Sequence, residues 1–497
     1  MHEYFPHGDF SRSMGEHSTA FSRVLFQQER PIADVDLNVI AELITRSMRR
    51  FFIDVIGPYG TAQTPWLHDE HESKPDAPED SNFKFAFKNT STKTETVTGV
   101  EPTLGRGFYY VQGLRCDFDP DRPAEGIATS AGFATNSQVL FSNVPHHAGS
   151  ADLEPPYLVY LRVWERDVTA LQDGQLRDPA LNARVTDTTM RTQIVWQVIA
   201  SRHMPKVTGA LEKDCLELAC LKLTSTEAFV RCWLEWEDKR SRSGRASIVL
   251  SRTPTYQPTN NLLYRVEVVE GGNEDSARFV WSRNNGCAQF RVLGQSGNTV
   301  TVGPAGGLVG AKPQKGQIVE LLGPVPYAPG DARTTAAVVD DVTAAERVAG
   351  RQPAEPAPWK LTLDADLPGL GLGGGSRDVL RLWDGRFDAA EAATEQGRLL
   401  DDDVWVRVPN SQADRYIAGD HWLLTTRGIG NLDIDAQPRV VEDYVAPLAL
   451  VLPIEADPVP TIRDLRSTFY PSAMWTVWDR SARKSHEDVD DDRHDDD

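Results

Sequence analysis

The sequence predicts a mainly β protein made of several short-stranded sandwich or barrel-like units, preceded by an N-terminal strand–helix element. Three observations support this fold class. Short apolar runs recur at a period of two between about Gly105 and Leu450, Gly, Asn and Asp turn pairs separate them, and an N-terminal stretch has helical spacing. Hydrophobic residues make up 40% of the 497, which is enough to form a buried core.

The first predicted unit, residues 1–57, is an arm followed by a helix. Ser22–Gln28 is expected to be a short strand, and Asp36 to be the N-cap of a helix that runs to about Ile56, where a Gly-Pro pair follows. The apolar residues on one face of this helix are Leu37, Ile40, Ile44, Met48, Phe51 and Val55. Such a piece is not stable alone, so we expect the β body or a neighbouring subunit to cover this face.

The rest of the chain divides by composition. Residues 58–104 are expected to be a linker or loop region, and 105–327 a β-rich body. An Ala-, Pro- and charge-rich stretch, 328–360, is expected to be an insertion or linker before a second β-rich region, 361–477. Residues 478–497 are predicted to be a disordered acidic tail, because a run of like charges repels itself.

Four runs within these regions carry the strand pattern most clearly: Tyr157–Val163, Thr192–Ala200, Leu262–Val269 and Val404–Val408. The turn pairs between strands include Asp173-Gly174, Asn285-Gly286, Gly297-Asn298, Asp384-Gly385 and Gly419-Asp420. Three tryptophans in strand-like runs are expected to be mostly buried core residues rather than sugar-stacking platforms: Trp164, Trp196 and Trp281.

Charge and cysteine content narrow the classes of partner and compartment. With 52 basic and 72 acidic residues the net charge is −20, which argues against a nucleic-acid binder and against an anionic membrane surface as partner. No apolar run approaches the ~20 residues that span a bilayer, and no secretory signal is visible at the N-terminus. The five cysteines, which form no C-x-x-C pair, favour free thiols in a reducing, cytoplasmic compartment.

Motifs for common catalytic and metal sites are incomplete. The glycine run Gly371–Gly375 is not followed by G-K-[ST], so a phosphate-binding loop is not expected. Asp117, Asp119 and Asp121 form D-x-D-x-D, but Arg122 occupies the position where a calcium loop needs Gly. The segment 68–71 has two histidines without the H-E-x-x-H spacing of a zinc protease. We therefore assign no catalytic, cofactor-binding or metal-binding residue, and predict no enzyme activity and no cofactor.

Colinear segments carry a resemblance across most of the chain. In order they are Gly8–Arg12, Val24–Arg30, Ala33–Asn38, Gly107–Gly113, Tyr157–Arg166, Arg191–Val198, Asn261–Val268, Phe279–Gly286, Leu382–Gly385, Gly419–Trp422 and Tyr444–Ala449. Together they resemble an uncharacterised bacterial family, a domain of unknown function associated with phage-tail-like contractile injection systems. The sequence departs from the family pattern at Glu29, Leu37 and Val39, where the family has Gly, Trp and Glu.

The resemblance implies a non-enzymatic structural or assembly component of a phage-tail-like contractile injection particle, either baseplate-associated or accessory. The implied partners are other subunits of that particle, with a homo-oligomer left open, and the implied location is the cytoplasm, as part of or loaded into the particle. Two alternatives remain. A tail-fibre-like or carbohydrate-binding module would expose aromatic residues around a groove, and a cargo effector or hydrolase would have a deep pocket holding perturbed carboxylates or histidines.

Overall fold

The computed structural model describes residues 6–8, 10, 21–62, 82–90, 99–105, 107–118, 141–142, 157–176, 188–201, 245–252, 262–306, 312–323, 327–344, 358–367, 378–401, 404–409, 415–425, 433–452 and 461–469. The predicted acidic tail, 478–497, and the glycine run Gly371–Gly375 lie outside these ranges. The mainly β fold class is confirmed: several separate sheets are accompanied by one long N-terminal helix.

The N-terminal helix, α1, spans Asp34–Ile56. Its start differs from the prediction: the N-cap is Ala33, without a side-chain hydrogen bond, and Asp36 lies in the first turn, where a carboxylate favours the helix dipole. Its end is as predicted, because Gly57 takes a φ of 95° and its N–H donates to the Ile53 carbonyl. The strand expected at Ser22–Gln28 does not form.

The described strands of the first part of the chain are β1 Tyr59–Ala62, β2 Phe85–Thr90, β3 Gly99–Leu104, β4 Gly107–Val111, β5 Leu114–Phe118, β6 Phe141–Ser142, β7 Tyr157–Val168, β8 Arg191–Ser201 and β9 Ile248–Arg252. A 3-10 turn, Gly174–Leu176, lies between β7 and β8. The predicted strands at Tyr157–Val163 and Thr192–Ala200 are therefore confirmed.

The strands that follow are β10 Leu263–Glu270, β11 Arg278–Ser282, β12 Gln289–Ser296, β13 Thr299–Gly306, β14 Ile318–Leu322, β15 Thr335–Ala337, β16 Thr343–Ala344, β17 Trp359–Thr362, β18 Val379–Trp383 and β19 Gly385–Asp388. A one-turn helix, α2 Ala389–Ala392, precedes the last group of strands. These are β20 Arg398–Asp401, β21 Val404–Arg407, β22 His421–Thr425, β23 Asp433–Ala436, β24 Asp443–Leu452, β25 Thr461–Asp464 and β26 Thr468–Phe469.

Two stretches expected to be linkers contain strands. The region 58–104 holds β1, β2 and β3, and the region 328–360 holds β15, β16 and the start of β17. For β1 the physical reason is long-range pairing: it pairs in parallel with β26, about 400 residues later, and local composition carries no signal for such a partner. The pairs β2-β3 and β16-β17 are local, and they were missed because the segments around them are rich in Pro and charged residues, which favour loops. The domain boundaries themselves stay a prediction.

Strands from distant parts of the chain share sheets. In order across each sheet, the neighbours are β26-β1-β4-β5, β25-β24-β7-β8-β6, β19-β11-β10-β22, β20-β21-β9-β23, β15-β14-β18-β12-β13-β17-β16 and the hairpin β2-β3. The two predicted β-rich regions, 105–327 and 361–477, therefore do not form separate sheets. Among the described residues every sheet has two edges and none closes on itself.

The three largest apolar clusters among the described residues form most of the core. The first joins β1, β4, β5, β7, β8 and β24. The second lies between the β10 sheet and the β9 sheet, where the Phe279 and Phe387 rings stack with centroids 5.0 Å apart. The third belongs to the seven-stranded sheet. Trp164 and Trp281 are buried, as predicted, and Trp196 is partly buried against Phe83 at 5.1 Å.

In the part of the chain that the structure describes, no helix combines the length and apolarity needed to cross a bilayer.

Candidate functional site

A layer of charged residues lies between the four-stranded sheet that contains β10 and the seven-stranded sheet that contains β14 and β18. Strand β10 directs Tyr264, Val266 and Val268 into one apolar cluster and Arg265 and Glu267 to its opposite face. Both charged residues are 0% exposed. The sequence predicted this alternation, but an alternating strand usually has one face in water, whereas both faces of β10 are covered.

The seven-stranded sheet supplies the other half of this layer. Glu320 of β14 and Arg381 of β18 lie on the faces of their strands that point away from the apolar cluster of that sheet, and both are buried. Arg333 connects the halves by pairing with both Glu267 and Glu320; its Nη1 lies 3.0 Å from the Glu320 Oε1. The indole Nε1–H of Trp383 donates to Glu320 at 2.9 Å.

The N-terminal segment enters the same layer through His7. Its Nε2 lies 2.8 Å from the Glu267 carboxylate, which only accepts hydrogen bonds, so Nε2–H is the donor. Its backbone N–H donates to Asp167 at 3.1 Å. Asn285 fixes the segment by donating to the carbonyls of Pro6 and Gly8 at 2.8 and 3.1 Å. The layer thus ties the chain start to the sheets.

The turn that presents Asn285 was predicted from its sequence. Asn285 and Gly286 have φ values of 51° and 60°, the left-handed conformation that an Asn-Gly pair adopts readily. A side chain at Gly286 would meet His7 at 3.2 Å and Trp383 at 3.3 Å, so the close approach also favours glycine. The Asn285-Gly286 turn therefore also holds the N-terminal segment in place.

The protonation states of this layer are set by burial and by the arginines. Burial alone would raise the pKa of Glu267, but Arg265, Arg333 and His7 hold that pKa well below its usual value. Burial also opposes ionisation of Glu320, but Arg333 and Arg381 outweigh it and lower the pKa of Glu320. Burial lowers the pKa of His7, so its ring is neutral at pH 7. The layer contains Arg265, Arg333 and Arg381. Its carboxylates are also three, Glu267, Glu320 and the Asp167 beside His7, so the formal charges are equal in number.

A second buried pair borders this layer. Asp420 forms an ion pair with Arg245, yet its pKa is raised to about 6, because the loss of hydration outweighs the attraction of the guanidinium. Its neighbour His421 is fully buried, with a pKa well below its usual value as a result of that burial, and its Nδ1 lies 3.2 Å from the Gly419 carbonyl.

A small cavity opens beside the charged layer. Its volume is about 90 Å³, and its lining includes His7, Trp164, Arg166, Asp167 and Arg381. Pockets for small-molecule ligands usually measure about 300–1,000 Å³, so this cavity suits ordered water or a very small molecule.

A different surface forms on α1, which has two apolar faces. The inner face packs on the β body: Val35 and Leu43 are buried, and the Phe52 ring stacks on Tyr110 with centroids 5.2 Å apart. Arg49 donates to the Gln112 carbonyl at 3.3 Å and lies 5.2 Å from the centre of the Tyr444 ring.

The outer face is the one predicted to need a cover. Five of its six predicted residues, all but the half-buried Ile40, are 53–64% exposed: Leu37, Ile44, Met48, Phe51 and Val55. With the exposed Ala41 they form a row that we call the α1 seam. Eleven large apolar side chains are exposed among the described residues, and nine of them lie between Phe21 and Val55. Exposed apolar surface concentrated in one segment is typical of an interaction site.

Of the other residues singled out from the sequence as metal ligands, the structure describes only Asp117. Asp117 is exposed and pairs with Arg115 at 2.9 Å, while Asp119, Asp121 and the histidines of 68–71 lie outside the described ranges. Within those ranges no group of three or more His, Cys, Asp or Glu residues is arranged to hold a metal ion.

The remaining sequence predictions concern thiols and surface charges. The free cysteines Cys116 and Cys287 are buried, and burial raises the pKa of the Cys116 thiol; the other three cysteines are outside the described residues. The charges of β7 pair within the chain: Arg162 with Asp443 at 2.6 Å, and Glu165 with Arg49 at 3.4 Å.

Comparison with known proteins adds one finding. No curated protein and no solved structure matches the chain. Residues 6–204 match a family described only as a family of unknown function, DUF6519. The matched part includes His7, α1 and strands β1–β8 but ends before β10, so the motifs that follow in the second half of the chain lie beyond it. Over residues 6–204, the chain is thus similar to an uncharacterised protein family, DUF6519.

Proposed function

We propose that this protein is a non-enzymatic structural subunit that contributes assembly contacts to a phage-tail-like contractile injection particle, at the baseplate or as an accessory component. The observation that carries the assembly role is the α1 seam: its large side chains are 53–64% exposed although the opposite face of the same helix is firmly docked. The type of particle rests on the resemblance of the ordered sequence motifs, and the partners are the other subunits of that particle.

The chemistry of the charged layer supports a structural role rather than a catalytic one. A general acid or base works best with a pKa near the operating pH. The pKa values of Glu267, Glu320 and His7 are all displaced downward, so each group keeps one protonation state around neutral pH. Their partners hold them in fixed ion pairs between two sheets. Such a layer specifies how the sheets and the N-terminal segment fit together.

The experiment is co-expression of the full chain with the sheath, tube and baseplate subunits of a contractile particle, followed by purification of the particle and quantification of the chain in it. The wild-type protein should be present at a fixed stoichiometry. Ile44→Asp, which places a charge in the α1 seam, should lower its occupancy at least tenfold.

Leu399→Asp is the matched control, because Leu399 is an exposed apolar residue of β20, far along the chain from α1. It should join the particle at wild-type occupancy. Absence of the wild-type chain from the particle would refute the proposed function, and equal occupancy of both variants would refute the role of the α1 seam in it.

A further inference from the structure

We infer that the α1 seam binds the α1 seam of a second copy of this chain, in an antiparallel two-helix contact with two-fold symmetry. This inference deepens the proposed function, since it names the partner of the surface on which that proposal rests. The spacing, the exposure and the volumes of the seam side chains, together with the helix dipoles, all favour this arrangement.

The spacing is that of a coiled coil. Leu37, Ala41, Ile44, Met48, Phe51 and Val55 are separated alternately by four and three residues, which is the a/d pattern of a heptad repeat over slightly less than three heptads. A helix that packs on the core of its own domain usually has a wider apolar stripe. In α1 that role belongs to the opposite face, which carries Val35, Leu43 and Arg49.

The volumes of the seam fit an antiparallel partner. A two-fold axis at residue 46 places Leu37 opposite Val55 of the second copy, Ile44 opposite Met48, and the smallest residue, Ala41, opposite the largest, Phe51. Each layer then has a similar total volume, as a well-packed interface requires. A parallel pairing would place Ala41 on Ala41 and Phe51 on Phe51, which leaves a void in one layer and crowds another.

The helix dipoles favour the same direction, because an antiparallel pair opposes the two dipoles whereas a parallel pair aligns them. The charged side chains of α1 lie outside the α1 seam, and two of them have partners within the chain: Arg46 pairs with Glu42, and Arg49 pairs with Glu165. The contact is therefore apolar, and its direction is set by the volumes and the dipoles.

The available surface is large enough for a stable contact. A specific interface buries about 800 Å² on each partner. Nine large apolar side chains between Phe21 and Val55 are half or more exposed, and each offers on the order of 80–100 Å², about half of what a large side chain buries. Four of them, Phe21, Leu25, Phe26 and Ile32, precede the helix, so a contact of that size includes this segment as well as the α1 seam.

The first test is the oligomeric state of the purified full chain by sedimentation velocity. The wild-type protein and Leu399→Asp should sediment as dimers at about 10–50 µM, above the roughly micromolar dissociation constants at the weak end of standard-size interfaces. Ile44→Asp should raise the dimer dissociation constant at least 100-fold. Ile44 is exposed, so the variant should keep the wild-type circular dichroism spectrum. A wild-type protein that remains a monomer, or an Ile44→Asp protein that remains a dimer, would overturn the inference.

The second test fixes the direction of the helices and does not depend on a destabilising variant. An equimolar mixture of Ala41→Cys and Phe51→Cys proteins should form a disulfide-linked dimer under mild oxidation, whereas each variant alone should not exceed the background of the native cysteines. A cross-link formed by Ala41→Cys alone would indicate a parallel pair, and no cross-link in any combination would exclude the contact; either result contradicts the inference.

The two proposals fail in different ways. If the chain is a monomer and Ile44→Asp is nevertheless lost from the particle, the α1 seam binds another subunit and only the inference of self-association fails. If the dimer forms and cross-links as described but the wild-type chain is absent from the particle, the dimer stands and the proposed function fails.

Discussion

Replacement of Glu267 by glutamine should severely weaken the junction between the two sheets. The carboxylate is fully buried and lies in contact with Arg265, Arg333 and His7. Glu267→Gln keeps the shape of the side chain but leaves two guanidinium groups facing a neutral amide. Breaking a buried ion pair in this way usually costs about 3–5 kcal/mol of unfolding free energy. For a cooperative unit of roughly 150–250 residues, that loss lowers Tm by roughly 6–20 °C.

The matched control is Glu270→Gln on the same strand. Glu270 pairs with Arg278 at 2.7 Å, but its side chain is 40% exposed, and exposed pairs contribute about 0–1 kcal/mol. Differential scanning calorimetry of the two variants at pH 7 measures both effects. Equal melting temperatures for the two variants would refute the reasoning, because they would show that the buried charge is not held by its partners.

The same pair of proteins gives a pH signature. The folded-state pKa of Glu267 lies well below its unfolded value of about 4.3, so the stabilisation from its charge is complete above that pH and is lost as the pH falls. The stability difference between wild type and Glu267→Gln should therefore be constant from pH 5 to 7 and shrink below about pH 4. A difference that grows on acidification would contradict the assignment of Glu267 as a buried carboxylate.

Three further predictions concern other parts of the chain. The pKa of Asp420 is raised to about 6, so its ionisation lowers the free energy of unfolding as the pH rises between about 4 and 6: relative to Asp420→Asn, the wild type should lose on the order of 2–3 kcal/mol over that window in urea titrations. Curves of unfolding free energy against pH that run parallel for the two proteins would disprove the raised pKa. Trp281→Ala should lower the free energy of unfolding by about 3–5 kcal/mol in chemical denaturation, because the ring is buried between the β10 and β9 sheets. A loss under 1 kcal/mol would show that the surrounding residues fill the cavity or that water already occupies the site. Deletion of residues 486–497, which hold eight acids and one arginine, should leave Tm within about 2 °C, because the segment has little apolar surface to bury; a clear loss would show that it docks on the body.

Much of the fold could be predicted because its signals are local. The alternation of Leu262–Val269 and the Asn285-Gly286 turn depend on neighbouring residues, and both appear in the structure where the sequence placed them. Helix α1 was recognised from its apolar period, although its first turn begins two residues before the expected cap. Strands β1 and β26 were missed because each is short and gains its hydrogen bonds from a partner about 400 residues away.

The charged layer could not be predicted for a related reason. Arg265 and Glu267 fit equally well on a solvated face, and the groups that cover them, His7, Glu320 and Arg333, lie 53–258 residues away along the chain, counted from the nearer of the two. No periodicity links such positions. By contrast, the exposed face of α1 was visible in the sequence as an apolar stripe without an assigned cover. The four-and-three spacing of the α1 seam was not recognised there, because it appears only when the exposed Ala41 replaces the half-buried Ile40 in that set.

The most direct test of the assembly role is an electron cryo-microscopy map of an assembled particle that contains this chain. The proposal predicts density for α1 with Ile44, Met48 and Phe51 in contact with another polypeptide, and a second copy of α1 running antiparallel to it at an axis separation of about 8–10 Å. A map in which the α1 seam faces solvent on every copy would contradict the assembly role of this surface.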